Sequence, residues 1–149
     1  MSSRSILVVS FFAFLMLVGL ISHKRNVNYL TYTLSVPQNC KANTEAYLIC
    51  QDYQIYWHYT DKKSQTALVK QFTNRVLQNR NSILADTIQF DPRNLELSTL
   101  VFKTDSKIMA TISYGLVQNR HVVIVFETRR PIQSIEFIPE FVKNLLLLS

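Results

Sequence analysis

Residues 64–79, Ser64-Gln65-Thr66-Ala67-Leu68-Val69-Lys70-Gln71-Phe72-Thr73-Asn74-Arg75-Val76-Leu77-Gln78-Asn79, are where the hydrophobic period of the chain changes, and that change decides the fold. Ala67, Leu68, Phe72, Val76 and Leu77 recur at three- and four-residue spacing and so form one stripe of an α-helix. Gln65, Lys70, Asn74 and Gln78 fall outside that stripe. Asp61 or Ser64 can accept backbone N–H groups at the helix start, and Asn79-Arg80-Asn81 suits its end or a break before a further turn through Ile83 and Leu84.

On the N-terminal side of this helix the period is two. From Val27 to Leu34, β-branched and aromatic residues alternate, which predicts a strand ended by Pro37-Gln38-Asn39. Tyr47 to Tyr59 reads as a second strand, with Tyr53, Ile55 and Trp57 on one face and Gln54, Tyr56 and His58 on the other. The two are expected to pair as a hairpin whose long loop carries Cys40.

On the C-terminal side alternation returns after Asp91-Pro92-Arg93. Leu95, Leu97, Thr99 and Val101 make one face of a strand. Thr104-Asp105-Ser106-Lys107 is its hairpin connection, and Ile108 to Val117 is the returning strand. A turn at Gln118-Asn119-Arg120 leads into His121–Thr128, whose run Val122-Val123-Ile124-Val125-Phe126 predicts burial on both faces. Pro139 as a first helical residue, followed by Phe141, Val142, Leu145, Leu146 and Leu148, predicts a short terminal helix. The order β-β-α-β-β-β with a short C-terminal helix is an α+β domain with an antiparallel sheet.

The first 25 residues differ in kind. No charge occurs from Ser5 to Ser22, and as a helix these 18 positions would span about 27 Å, close to the thickness of a bilayer's hydrocarbon core. Arg4 and His23-Lys24-Arg25 flank the run. A cleavable signal peptide would want small residues before the cut, yet cuts after Ser22 or Gly19 place Leu20 or Leu17 at the critical position. A buried core helix would show a polar stripe, which this run lacks. The favoured reading is an uncleaved single-pass anchor over residues 1–25, acting through residues 5–22, followed by a domain over residues 26–149. Charge flanks give no firm orientation, because Arg4 stands against Lys24 and Arg25.

The chain has 149 residues, with 16 basic and 10 acidic side chains. Setting aside Arg4, Lys24 and Arg25 leaves 13 basic and 10 acidic, so half of the +6 net charge belongs to the membrane flank. Only two glycines are present, which rules out a glycine-rich phosphate loop and a Gly-x-Ser-x-Gly nucleophile elbow paired with a glycine-built oxyanion loop. Cys40 and Cys50, the only cysteines, read either as one disulfide in an oxidising compartment or as two reduced, partly buried thiols. The disulfide reading places the domain outside the cytoplasm.

No pattern points to chemistry. His23, His58 and His121 show no metal-ligand spacing, and no cofactor motif appears. Asp52, Asp86, Asp91, Glu127, Glu136 and Glu140 are expected to be solvated surface charges rather than an acid–base pair. An enzyme would need His58 or His121 to converge with two carboxylates in a pocket. Lys62, Lys63, Lys70, Arg75 and Arg80 could line a basic helix face near Tyr56 and Tyr59, but without a long basic block nucleic acid is not the expected partner. Tyr47, Tyr53, Tyr56, Trp57 and Tyr59 crowd one stretch and point both ways, so some are expected to be exposed or covered by a partner protein. The expectation is a non-enzymatic, single-pass membrane protein serving as an assembly or binding subunit of a cell-envelope or viral-envelope complex of the secretion, pilus or entry type. The alternative is an exported, soluble ligand-binding or inhibitor domain released by signal cleavage.

Overall fold

The computed structural model describes residues 26–80, 82–89 and 97–148. The expected anchor and the turn at Asp91-Pro92-Arg93 lie outside the described residues. Among those described, no helix is long and apolar enough to cross a membrane.

The described chain is an α+β domain, mostly antiparallel sheet, with one long helix and a short C-terminal one. Strands β1 (Asn26–Tyr29) and β2 (Tyr32–Ser35) form a separate hairpin. Then follow β3 (Cys40–Thr44), β4 (Tyr47–Cys50), β5 (Tyr53–Thr60), helix α1 (Lys62–Arg80), β6 (Ile83–Gln89), β7 (Ser98–Thr104), β8 (Lys107–Val117) and β9 (Arg120–Ile132). A single 3-10 turn (Ile135–Phe137) leads to helix α2 (Glu140–Leu147). The main sheet runs β3-β4-β5-β9-β8-β7-β6, so two meanders meet through the β5–β9 pair.

Both faces of this sheet are covered. Along β9, Val122, Ile124 and Phe126 join Trp57, Leu145 and Leu146 in one core, beneath α2 and the β1–β2 hairpin. Val123 and Val125 point the other way, against Phe72 and Val76 of α1. The double burial expected of Val122–Phe126 is therefore present, and its cause is a helix on each side of a central strand. Each fully buried Leu, Val or Phe side chain contributes about 1.5–3 kcal/mol, so β9 holds the two layers together.

Helix α1 begins two residues earlier than the period predicts. Asp61 caps it: one carboxylate oxygen accepts the Ser64 N–H at 2.9 Å and the other accepts the Ser64 hydroxyl at 2.7 Å. These bonds hold the Asp61 carboxyl below its ordinary pKa. The buried stripe is rotated from the expected one, since Ala67 is exposed and Gln65 is buried. Gln65 earns its place by donating from Nε2 to the carbonyls of Gly115 and Val122, each at 2.9 Å.

Several expected strands divide. The stretch from Val27 to Leu34 is the β1–β2 hairpin, not one strand, and it does not pair with Tyr47–Tyr59. Its turn holds Leu30 at φ 53, a left-handed conformation rarely taken by a branched side chain, and the Leu30 N–H donates to the Tyr59 hydroxyl at 2.7 Å. Tyr47–Tyr59 is two strands, β4 and β5, folded back at Gln51-Asp52. Strand β6 replaces the expected further turn at Ile83 and Leu84. The hairpins at Asp105-Ser106 and Gln118-Asn119 fall where expected, with both central residues at positive φ, as type I′ turns demand, and no glycine in either. Pro139 precedes α2 as its cap rather than entering it, and Val142, Leu145 and Leu146 form the buried face.

Cys40 and Cys50 are register partners on β3 and β4 and are joined by a disulfide. The Tyr53 hydroxyl lies 3.5 Å from Cys40 Sγ, and since a bridged sulfur carries no hydrogen, the phenol is the donor. Burial pushes the Tyr53 pKa up to about 12.

Candidate functional site

Strand β5 alternates, so Gln54, Tyr56 and His58 face α1 while Tyr53, Ile55 and Trp57 face the opposite core. On α1, Phe72 and Arg75 are three residues apart and share a face. Between these two elements and the β3–β4 turn, which adds Thr44, Ala46 and Tyr47, lies a cleft of about 390 Å³.

The wall is aromatic. Tyr56 meets Tyr47 edge-on at 5.6 Å and Phe72 edge-on at 5.5 Å, and the His58 ring stacks on Phe72 at 5.5 Å. Partial burial against these rings lowers the His58 pKa, which favours a neutral imidazole near pH 7. Arg75 lies over this wall with its guanidinium carbon 5.1 Å from both the Tyr56 and the Phe72 ring centres. One Nη donates to Glu127 Oε1 at 2.6 Å, and the Tyr56 hydroxyl donates to the same oxygen at 2.9 Å. The Glu127 side chain is 8% exposed and that of Arg75 is 41% exposed, so the cation is what the cleft presents to solvent.

Glu127 thus corrects the expectation that it is a solvated surface charge. It continues the Val123, Val125 alternation and points to the helix side, where Arg75 and Tyr56 compensate its burial. Asp52 is half-exposed and lies 3.6 Å from Arg130 Nε, while Asp86, Glu136 and Glu140 are exposed. Asp91 lies outside the described residues. His121 does not line the cleft. No group of three or more His, Cys, Asp or Glu side chains among the described residues is placed to hold a metal ion.

Of the five crowded aromatics, Tyr53, Tyr56 and Trp57 are buried within the chain, because each face of the sheet has its own cover. Tyr47 is half-buried on the cleft, and Tyr59 is exposed on the other side, where it stacks on Tyr29 and carries Arg120 over its ring at 5.5 Å. Arg75 and Tyr56 are brought together as the basic-face reading requires, but Tyr59 is not. The Arg80 side chain lies outside the described ones.

Two further hollows are simpler. One of about 360 Å³ lies along α1 at Val69, Lys70 and Tyr114, and one of about 260 Å³ lies by Tyr53, Arg130 and Phe137. In the second, Asp52, Thr128 and Arg130 are bonded to one another, so its polar groups are spent within the chain. Comparison of the chain with protein-family models, with curated proteins and with solved structures gives no match in any of the three.

Proposed function

We propose that the protein is a non-enzymatic, single-pass membrane protein whose α+β domain stands on the extracytoplasmic side and serves as a binding or assembly subunit of an envelope complex. The observation that carries this reading is the Cys40–Cys50 disulfide in a domain that begins directly after an 18-residue charge-free apolar run. Val27 and Tyr29 are already in the core, so at most about 3.5 Å per residue over a handful of residues separates the domain from the end of the run. A domain tethered so closely would work at the membrane surface. The full chain is expected to resist alkaline extraction from membranes and to carry at least one stoichiometric partner into mild detergent. A monomer recruiting nothing from native membranes would overturn the assembly role.

The cleft beside Arg75 favours a second reading, an exported ligand-binding domain released by signal cleavage. Mass spectrometry of the mature N-terminus separates the two, because the released form would begin after about Ser22.

A further inference from the structure

We infer that the cleft beside Arg75 binds a small, planar, monoanionic carboxylate, an aromatic organic acid whose carboxylate pairs with the guanidinium and whose ring packs on Tyr47, Tyr56, Phe72 and His58. The cleft holds several unused hydrogen-bond donors. Arg75 spends one Nη on Glu127, and its other N–H groups have no partner among the described residues. Gln54 accepts the Tyr47 hydroxyl at 2.9 Å through Oε1, and its amide N–H groups have no partner among the described residues. Thr44 accepts the Ala46 N–H at 3.2 Å and keeps its own hydroxyl hydrogen. Such a set calls for an acceptor-rich ligand, and a carboxylate matches the guanidinium fork.

Two features limit the ligand's charge and shape. Glu127 already offsets part of the Arg75 charge, so one negative charge suits the site better than the two of a phosphate monoester. Lys62, Lys63, Lys70 and Arg75, with no acidic residue in α1, add a positive field that draws an anion toward this side of the sheet. The volume of about 390 Å³ is at the small end for ligand pockets, and its walls are rings. Arg75 is held in advance by Glu127 and by two aromatic faces, so little side-chain freedom is lost on binding. The inference concerns the folded domain whether tethered or released, so its failure would leave the reading of the anchor intact, and the converse holds too.

Calorimetric titration of the full chain in non-ionic detergent with 2-naphthoate and with its neutral isostere 2-naphthamide tests this. Saturable binding of the acid is expected, with the amide weaker by about tenfold or more. Arg75→Met is expected to abolish binding and Arg75→Lys to weaken it by about tenfold, since a lysine keeps the charge but not the fork. Should Arg75→Met fold poorly, Gln54→Glu serves instead: it still accepts the Tyr47 hydroxyl yet puts a negative charge in the cleft, and should weaken the acid by about tenfold. Equal binding of acid and amide, no binding of the acid at millimolar concentration, or undiminished binding by Gln54→Glu would each overturn the proposal.

Discussion

Arg75 on the long helix and Glu127 in the central strand meet at 2.6 Å, the carboxylate buried beneath the sheet's helix layer and the guanidinium half in water. The pair therefore has unequal partners. Replacing Arg75 with Met takes a charged donor from a buried carboxylate and is expected to cost about 2 kcal/mol, discounted because the guanidinium is partly solvated. The double variant Arg75→Met/Glu127→Gln should be more stable than Arg75→Met alone, since it removes the buried charge as well. Urea midpoints of the two proteins decide this, and a less stable double variant would contradict it.

Acidification should weaken the domain in two separate windows. Burial depresses the His58 pKa below 6.5, so as pH falls the unfolded chain takes up that proton first. Stability present at neutral pH is then lost from about pH 6.5 down through the folded-state pKa. Asp61, also depressed by its bonds to Ser64, loses its contribution only in the carboxylate range below that. Melting temperature against pH should show both steps, and His58→Gln should flatten the upper one alone.

The two type I′ hairpins are built without glycine. Non-glycine residues in the left-handed region cost roughly 1–2 kcal/mol each, and a glycine returns part of this to unfolded-chain entropy. Ser106→Gly, at φ 63, and Gln118→Gly, at φ 47, are each expected to raise stability by about 0.5–1 kcal/mol. Thermal melts that fall instead would show that these side chains hold their turns by contacts of their own.

The missing glycines also explain what could be read from the chain and what could not. Helix α1, the β7–β8–β9 meander, the Cys40–Cys50 pairing as one of two options, and α2 were legible because period and apolar faces carry them. The hairpins at Leu30-Thr31 and Gln51-Asp52 were not, because a two-residue turn without Gly or Pro leaves alternation running through it unbroken. Glu127 was misread by residue type, although its place after Val123 and Val125 gives its face. The cleft itself was not legible: Thr44, Tyr47, Gln54, His58 and Arg75 come from separate segments whose meeting depends on the β4–β5 fold-back.

Breaking the Cys40–Cys50 bridge should cost about 2–3 kcal/mol, from the entropy of a closed loop spanning ten residues. The Cys40→Ser/Cys50→Ala variant, compared with the oxidised protein in guanidinium, checks this. Equal midpoints would place the bridge's value somewhere other than in stability.

Helix α2 offers an internal control. Leu145 is fully buried and Leu147 is half-exposed two residues on. Leu145→Ala is expected to cost about 2–5 kcal/mol, whereas Leu147→Ala should stay within about 0.5 kcal/mol. Similar losses at both positions would mean that the helix is held by something other than this face.

Strand β5 is closed on one side by β4, its neighbour in sequence, and on the other by β9, with Tyr53 opposite Thr128 and Thr60 opposite His121. A chain emerging from the ribosome must therefore carry β5 with one edge unsatisfied until α1 and four further strands, β6 to β9, have been made. Long-range pairings of this kind form late and leave sticky edges open in the meantime. The two meanders are thus joined only through β9, so the seam at the centre of the sheet is made from strands far apart in the chain.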